Sequence, residues 1–353
     1  MLFSGYIEGY FGRLLSWEER DVILSQIEFK NLNTYFYCPK EDPYHRLDWK
    51  TPYPEKEKKS LKEFIAKCRS KKINFFFGIS PGINFEDSFE ELFNKILDVT
   101  SIGASEIVIL FDDLFEEQNG KKHAEIINIC KEKFPEVNFY CVPSEYCEQL
   151  AKPNLMESLY LNQLSEHLDS DVPIFWTGSK VVSSSYTSKE IGNWKNTLKH
   201  KLIIWDNFYA NDYCVPKIVL ESFDVEERSN FENALGILIN GTGLLNIDKF
   251  CLGSLANKIY SKDKLLNDPI KNLGLPKEFA KISGLFKLEA SYTGSKEEIE
   301  AIEFLLWKWT GPTKQEIYPY IHLLRKFLTN EGSADLLKSR SVSYTHLRAH
   351  ETS

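Results

Sequence analysis

The sequence predicts an α/β protein: a (β/α)8 TIM-type barrel followed by a smaller all-helical domain. Eight short runs of apolar, β-branched and aromatic residues recur over about the first 245 residues, and stretches with helical periodicity separate them. These runs are apolar throughout, which is typical of parallel strands covered on both faces. A doubly wound open sheet is the alternative, but no GxGxxG motif follows the first run. Eight strand–helix units of this total length favour the barrel.

Each element has its own signal in the chain. The predicted strands are Leu2–Glu8, Asn33–Cys38, Ile73–Ser80, Glu106–Phe111, Val137–Val142, Val172–Thr177, Leu202–Asp206 and Gly236–Asn240. The first helix opens with the capping box Ser16-Trp-Glu-Glu19. The next helices are predicted at Glu55–Ser70, Phe85–Thr100, Lys121–Phe134, Glu145–Leu168 and Ser188–Lys199.

The chain changes character near Asp248, where strand-like runs stop. Helical patterns follow at Lys249–Lys262, Lys277–Leu288, Lys296–Trp309 and Lys314–Leu328. We therefore expect a catalytic barrel over residues 1–247 and a helical domain, cut short, over 248–338. The last thirteen residues, SVSYTHLRAHETS, resemble translated sequencing-adapter read-through, so residues 339–353 are expected to be a non-native, disordered tail.

Composition excludes several classes of protein. The chain is 42% hydrophobic and 27% charged, which suits a globular protein and not a disordered one. Its net charge of −8 argues against a general nucleic-acid binder. No apolar run approaches the roughly 20 residues that span a membrane, and no secretory signal precedes the first strand. Seven scattered cysteines without a CxxC pair indicate buried, reduced thiols in a cytoplasmic protein, without a zinc site of the usual spacing.

A barrel of this kind carries its active site at the carboxyl ends of its strands. In this sequence carboxylates, amides and aromatic residues dominate those ends, while basic residues and glycine-rich phosphate loops are few. Aromatic faces stack on sugar rings, and Asp and Asn hydrogen-bond sugar hydroxyls. The strand ends therefore favour a carbohydrate site over a phosphate site.

The pair Asp112-Asp113 is the sharpest feature, because it follows the apolar run Ile107–Phe111 directly. Two neighbouring carboxylates in a partly dry site resist ionising together, which favours one of them as a general acid. The pair could instead be solvated and cap the next helix. A divalent-metal site with Glu116 and Glu117 is a third alternative, less favoured because hard cations need convergent oxygens from several strands.

At these residues the sequence resembles glycoside hydrolase family 84, the O-GlcNAcase and bacterial N-acetylglucosaminidase family. The resemblance runs from Gly5 to about Asn240. It rests on seven motifs in order: GYIEGYFGR, NTYFYCPKEDPYHR, ISPG, LFDD, CVPSEYC, FWTG and IWDNFYANDY. Two positions depart from the family pattern: Gly241 replaces a more usual proline, and Tyr209 stands where some relatives carry histidine.

The resemblance implies a retaining exo-β-N-acetylglucosaminidase in which the substrate's acetamido oxygen attacks the anomeric carbon and forms an oxazoline. It assigns the catalytic work to Asp112, which would polarise the acetamido group, and Asp113, which would be the acid and then the base. It also implies a set of substrate-binding residues: Gly5, Lys40, Tyr146, Trp205, Asn207, Asp212 and Asn240.

The implied partners are GlcNAc-bearing glycoproteins or GlcNAc-terminated glycans, without nucleic acid or membrane. No cofactor or metal is expected, and a homodimer through the helical domain is the expected assembly. The alternative function is a catalytically inactive GlcNAc-binding barrel, because a fold alone never proves activity. The intact Asp112-Asp113 pair argues against that alternative.

Overall fold

A computed structural model describes most of the chain. The described residues are 2–82, 85, 87–114, 118–213, 217–221, 223, 231, 233–260, 268–287 and 294–329. The predicted tail at 339–353, the metal alternative's Glu116 and Glu117, and Cys214 lie outside them. The chain forms two compact units, one of residues 1–208 and 224–243 and the other of residues 209–223 and 244 onward. The domain boundaries predicted from the sequence stay predictions.

The first unit contains a closed eight-stranded barrel. Its strands are β1 (Phe3–Glu8), β2 (Thr34–Tyr37), β3 (Asn74–Ile79), β4 (Glu106–Leu110), β5 (Asn138–Val142), β6 (Ile174–Trp176), β7 (Leu202–Asp206) and β8 (Gly236–Asn240). Each strand pairs in parallel with the next, and β8 pairs with β1 so that Ile7 lies opposite Asn240. The predicted (β/α)8 fold is confirmed.

One core cluster fills the inside of this barrel. It takes alternate residues from all eight strands, as the two-residue period of a strand requires: Phe3, Ile7, Phe36, Cys38, Phe76, Val108, Leu110, Tyr140, Val142, Phe175, Ile203, Trp205 and Leu238. Phe36 packs against Phe76, Phe175 and Trp205 with ring centroids 5.2–6.1 Å apart. This aromatic column closes the barrel interior and forms a solid floor beneath its mouth.

Among the described residues of this unit, six α-helices accompany the strands. They are α1 (Trp17–Phe29), α2 (Glu55–Ser70), α3 (Phe89–Ser101), α4 (Gly120–Lys133), α5 (Leu159–His167) and α6 (Ser188–Leu198). The capping box predicted for α1 is present, with Ser16 accepting from the Glu19 amide and Glu19 accepting from the Ser16 amide.

The helix predicted at Glu145–Leu168 is wrong over its first half, because α5 begins only at Leu159. Pro153 offers no backbone N–H and disfavours helix at the residue before it. The backbone of this segment instead joins the end of β6: Thr177 N donates to Tyr146 O, and Glu148 N donates to Gly178 O. The segment is therefore a loop that lies along the neighbouring strand end.

The second unit is helical in its described parts, with α7 (Leu245–Tyr260), α8 (Pro269–Asn272), α9 (Lys296–Trp307) and α10 (Lys314–Leu328). The helix predicted at Lys277–Leu288 is instead two 3-10 segments, Lys277–Lys281 and Ser283–Lys287, in a stretch that contains the poor helix former Gly284. Arg325 of α10 pairs with Glu303 of α9 at 2.5 Å. Among the described residues, no helix is both long and apolar enough to cross a membrane.

Candidate active site

Polar side chains continue the inward-facing rows of the strands at the barrel mouth. In four strands, the residue two positions beyond the last core residue has a charged or amide side chain: Lys40 after Cys38, Asp112 after Leu110, Asn207 after Trp205 and Asn240 after Leu238. Since alternate residues share a face, these four side chains belong to the layer above the aromatic floor. All four residues are buried.

A lysine joins the two carboxylates. The Lys40 ammonium hydrogen-bonds Asp112 Oδ2 and lies 3.3 Å from Asp113 Oδ2. Burial by itself would lower the pKa of Lys40, but the charges of Asp112 and then Asp113 outweigh it, and the pKa is raised above its usual value. Lys40 therefore stays charged at neutral pH and compensates the carboxylates beside it.

The two carboxylates differ in their surroundings. The side chain of Asp112 is 8% exposed, whereas that of Asp113 is 26% exposed and accessible from the mouth. Asp113 also has a left-handed backbone with φ of 55°, an uncommon conformation that Asp tolerates better than most residues. This turn takes Asp113 out of the strand's alternation, so both carboxylates can approach one lysine.

Tyr146 follows β5 and faces the same pair. Its hydroxyl donates to Asp113 Oδ1 at 3.3 Å. Burial, followed by the nearby charge of Asp113, raises the pKa of Tyr146 well above 10, so the phenol keeps its proton. It is a neutral donor at the mouth.

One carboxylate oxygen of this group is open. Asp112 Oδ1 is buried and accepts no hydrogen bond from any described residue, while Asp112 Oδ2 is bound to Lys40. A buried acceptor without a donor is costly and rare in native proteins. The geometry therefore provides a place for a donor group of a bound ligand.

A chain of side-chain amides forms the wall on the β7, β8 and β1 side. Trp205 Nε1 donates to Asn207 Oδ1 at 3.0 Å, Asn240 Nδ2 donates to the same oxygen at 3.0 Å, and Gly9 N donates to Asn240 Oδ1 at 3.2 Å. Indole and backbone N–H groups can only donate, so they determine which way both amides point. Asn207 Nδ2 then donates to Val181 O at 2.8 Å.

The structure does not bring Gly5 to the mouth, which corrects its predicted place in the site. Gly5 lies inside β1 opposite Thr34, three residues before the strand ends at Glu8. The glycine beyond the strand end is Gly9, where a Cβ atom would lie 2.5 Å from the Trp205 ring. The strand-end rule would have found Gly9, because the predicted first strand ends at Glu8, one residue before it.

Asp212 belongs to the second unit, in a turn beside Asn211, whose amide donates to Tyr320 at 3.0 Å. Its predicted role in binding stays a prediction. The departure at Gly241 has a physical reason within the barrel, since a Cβ atom there would lie 2.1 Å from the Tyr6 hydroxyl. Any larger residue, proline included, would displace that tyrosine.

The described residues contain no group of three or more His, Cys, Asp or Glu side chains suited to hold a metal ion. What the mouth offers is one charged lysine, two carboxylates of unequal exposure, a neutral phenol and an ordered amide wall. This set can polarise an N–H group, donate a proton and later accept one.

The chain is thus a closed (β/α)8 barrel whose mouth holds two paired carboxylates, a set of groups equipped for acid–base chemistry. The family follows from comparison with known proteins. The chain belongs to the β-N-acetylglucosaminidase family, whose model matches residues 4–272. The resemblance to glycoside hydrolase family 84 is thereby confirmed.

Individual relatives agree with this assignment. The chain is 29% identical over 319 residues to protein O-GlcNAcase of Mus musculus and equally to that of Rattus norvegicus, covering 84% of this chain and 34% of each relative. It thus spans about a third of the length of these curated relatives. The solved structure of CpGH84B is similar with a TM-score of 0.72 and 27% identity, over 93% of this chain and 61% of that one.

Proposed function

We propose that this protein is a retaining exo-β-N-acetylglucosaminidase that uses the substrate's acetamido group as the nucleophile. It releases GlcNAc from O-GlcNAc-bearing proteins or from GlcNAc-terminated glycans. Family membership and similarity to proteins named O-GlcNAcase support the reaction class. The residues at the mouth support the mechanism.

The observation that carries the proposal is the open oxygen of Asp112. Asp112 Oδ1 is buried without a donor, while the charged Lys40 ammonium hydrogen-bonds the other oxygen. An acetamide N–H is a donor that matches this oxygen. A charged carboxylate on that N–H stabilises the positive charge that develops as the acetamide oxygen attacks.

The steps then balance as follows. The acetamide oxygen bonds to the anomeric carbon while Asp113 protonates the leaving oxygen, and the glycosidic bond breaks. The resulting oxazolinium ion keeps its N–H group hydrogen-bonded to Asp112. Water then bonds to the anomeric carbon and passes a proton to Asp113 while the bond to the acetamide oxygen breaks, so the acid of the first step is the base of the second. Tyr146, a neutral donor 3.3 Å from Asp113, is suited to bind the acetamide oxygen as it attacks.

The remaining predicted residues divide into two groups. Trp205, Asn207 and Asn240 form one bonded wall, which suits the closed side of a pocket for the acetamide and ring. Asp212 is proposed to bind sugar hydroxyls. Gly9 replaces Gly5 in our proposal as the glycine whose backbone the sugar approaches, because it follows the strand end.

The test is hydrolysis of 4-nitrophenyl β-N-acetylglucosaminide by the purified protein, with the β-glucoside as control. We expect turnover of the first substrate alone, because the glucoside lacks the acetamido nucleophile. Equal turnover of both would exclude substrate assistance. No turnover by folded protein that still binds GlcNAc would favour the alternative, an inactive GlcNAc-binding barrel.

The absence of a metal requirement is tested in the same assay. Activity should survive EDTA, and a loss that magnesium restores would support the divalent-metal alternative. A homodimer through the helical domain and a cytoplasmic location remain predictions.

A further inference from the structure

Four residues form a closed circuit of contacts behind the two carboxylates. They come from four successive elements: Phe111 after β4, His123 on α4, Ser144 after β5 and Tyr160 on α5. Phe111, His123 and Tyr160 are buried. Phe111 and Ser144 lie inside the motifs LFDD and CVPSEYC, from which the sequence analysis gave neither of them a role. His123 and Tyr160 lie on helices outside the strand-end motifs.

Two hydrogen bonds meet at the Tyr160 hydroxyl. Ser144 N lies 2.9 Å from it and can only donate, so the tyrosine oxygen accepts. His123 Nδ1 lies 2.9 Å from the same hydroxyl, and the tautomer of the ring decides which of the two groups donates. Burial lowers the pKa of His123 to about 3, so the ring stays neutral in any ordinary assay.

The circuit closes on Phe111, which is held at three points. Its N–H donates to Val142 O at 2.9 Å, its carbonyl accepts from Ser144 Oγ at 2.6 Å, and its ring stacks on His123 with centroids 3.7 Å apart and planes 6° apart. The next two residues along the chain are the carboxylates Asp112 and Asp113. A fixed Phe111 peptide therefore supplies a rigid base for the left-handed turn at Asp113.

The two helices of the circuit approach each other unusually closely. A Cβ atom on Gly120, the first residue of α4, would lie 2.0 Å from the backbone oxygen of Tyr160. Only glycine permits this approach, which brings His123 of α4 within reach of Tyr160. The contact between His123 and Tyr160 therefore depends on the close packing of α4 on α5.

We propose that His123, Tyr160 and Ser144 are positioning residues for Asp113; this inference rests on the proposed function. They act through two segments of backbone. The first runs from Phe111, whose carbonyl accepts from Ser144, to Asp113. The second runs from Ser144 to Tyr146, whose hydroxyl donates to Asp113 Oδ1. The circuit therefore sets the distance between the acid and its phenol partner.

The experiment compares Tyr160→Phe with Tyr140→Phe. Both substitutions remove a hydroxyl with a hydrogen-bond partner, but Tyr140 donates to Glu106 at the start of β4, away from the mouth. We expect Tyr160→Phe to lower kcat roughly tenfold on a β-N-acetylglucosaminide with a poor leaving group, less than the about 10²-fold cost of a 1 Å misplacement. The value of kcat/KM for a 2,4-dinitrophenyl substrate, which reports only the steps up to departure of the leaving group, should stay within about twofold. Tyr140→Phe should change neither.

Two further variants separate positioning from general damage. Ser144→Ala should reproduce the Tyr160→Phe pattern, whereas Ser144→Thr keeps the hydroxyl and should restore activity. In an Asp113→Ala background, Tyr160→Phe should cause no further loss, since the residue it positions is gone. Equal losses on both leaving groups, or a loss that persists without Asp113, would overturn the proposal.

A spectroscopic readout tests the same inference without turnover. The carboxyl carbon of Asp113 is followed by NMR through a pH titration in the parent, Tyr160→Phe and Tyr140→Phe proteins. A pKa that moves only in Tyr160→Phe supports the circuit, and a pKa unchanged in it overturns the circuit. If the parent hydrolyses nothing, the proposed function fails by itself, and this titration still decides the positioning role.

Discussion

Two buried carboxylates in the same barrel, Glu8 and Asp112, meet cations in different ways. Glu8 at the end of β1 accepts two bonds from the Arg20 guanidinium at 2.8 and 2.9 Å and one from Tyr35 at 2.6 Å. Both of its oxygens are engaged. Asp112 at the end of β4 shares one oxygen with Lys40 and leaves the other buried without a donor.

The two ion pairs differ in how fully the carboxylate is bonded. The planar, bidentate guanidinium binds both oxygens of Glu8 and ties α1 to β1. An ammonium is a point charge, and Lys40 is divided between Asp112 and Asp113. Asp112 therefore keeps one buried acceptor oxygen, which in our proposal binds the N–H group of the substrate.

The largest expected effect is that of Asp113→Ala on a substrate with a poor leaving group. General acid catalysis typically contributes about 10²–10⁴-fold, and that factor should be lost from kcat. A 2,4-dinitrophenyl leaving group needs no proton, so its departure should be affected far less. Steady-state kinetics on both substrates measures this split, and equal losses would remove Asp113 from the acid role.

The ion pair between Glu8 and Arg20 should affect the stability of the fold and not the activity. Glu8→Gln leaves the Arg20 guanidinium buried without a counter-charge, so we expect a loss of about 3–5 kcal/mol in the free energy of unfolding. Protein that remains folded should keep its turnover per molecule. Urea unfolding followed by tryptophan fluorescence measures the loss, and a change below about 1 kcal/mol would contradict this interpretation of the pair.

Asp112→Asn should lower the activity strongly and the stability only slightly. Loss of the charge beside the acetamide should lower kcat by about 10²-fold for good and poor leaving groups alike, comparable to losing one oxyanion donor elsewhere. Lys40 keeps Asp113 at 3.3 Å, so the free energy of unfolding should change by only about 1 kcal/mol. Unchanged kinetics would exclude Asp112 from the mechanism.

The smallest expected effect is the dependence of the free energy of unfolding on pH. Burial lowers the pKa of His45 to about 4, compared with 6.5 for a free histidine. Between these values the unfolded chain binds more protons than the native one, so stability falls as the pH drops from 6.5 to 4, by up to about 1.4 kcal/mol per unit for this residue. His123, with its pKa near 3, adds to the trend.

Urea unfolding at pH 7 and pH 5 measures this dependence. His45→Asn removes one titrating group and should flatten the slope, while Lys40 and both carboxylates remain. The same slope in the parent and the variant would show that His45 is not the residue responsible.

Local signals in the sequence were enough for much of this fold. The strands at Leu202–Asp206 and Gly236–Asn240 have the predicted bounds, because each is a short apolar run that ends in a polar residue. The helix predicted from Glu145 failed because the pairing of that segment with the end of β6 prevailed over its helical periodicity. Such pairing joins residues about thirty positions apart, and no local pattern contains it.

The site residues, too, could be predicted where a local pattern in the sequence marks them. Lys40, Asp112, Asn207 and Asn240 could be predicted because strand alternation continues to the strand ends. The choice of Gly5 over Gly9 came from the motif, which contains both glycines, although the predicted strand end at Glu8 already pointed to Gly9, and the register of β1 confirms that Gly5 lies inside the strand. The contact of His123 with Tyr160 depends on how two helices pack, so it needs the three-dimensional structure.

The amide wall has a consequence for the order in which the protein is made. Gly9 comes from the beginning of the chain and Asn240 from the end of the barrel, and their bond exists only when β8 has paired with β1. A chain still emerging from the ribosome without residue 240 carries both carboxylates and the lysine but lacks this wall. Full activity should therefore appear only late in synthesis, after β8 has paired with β1 and closed the barrel.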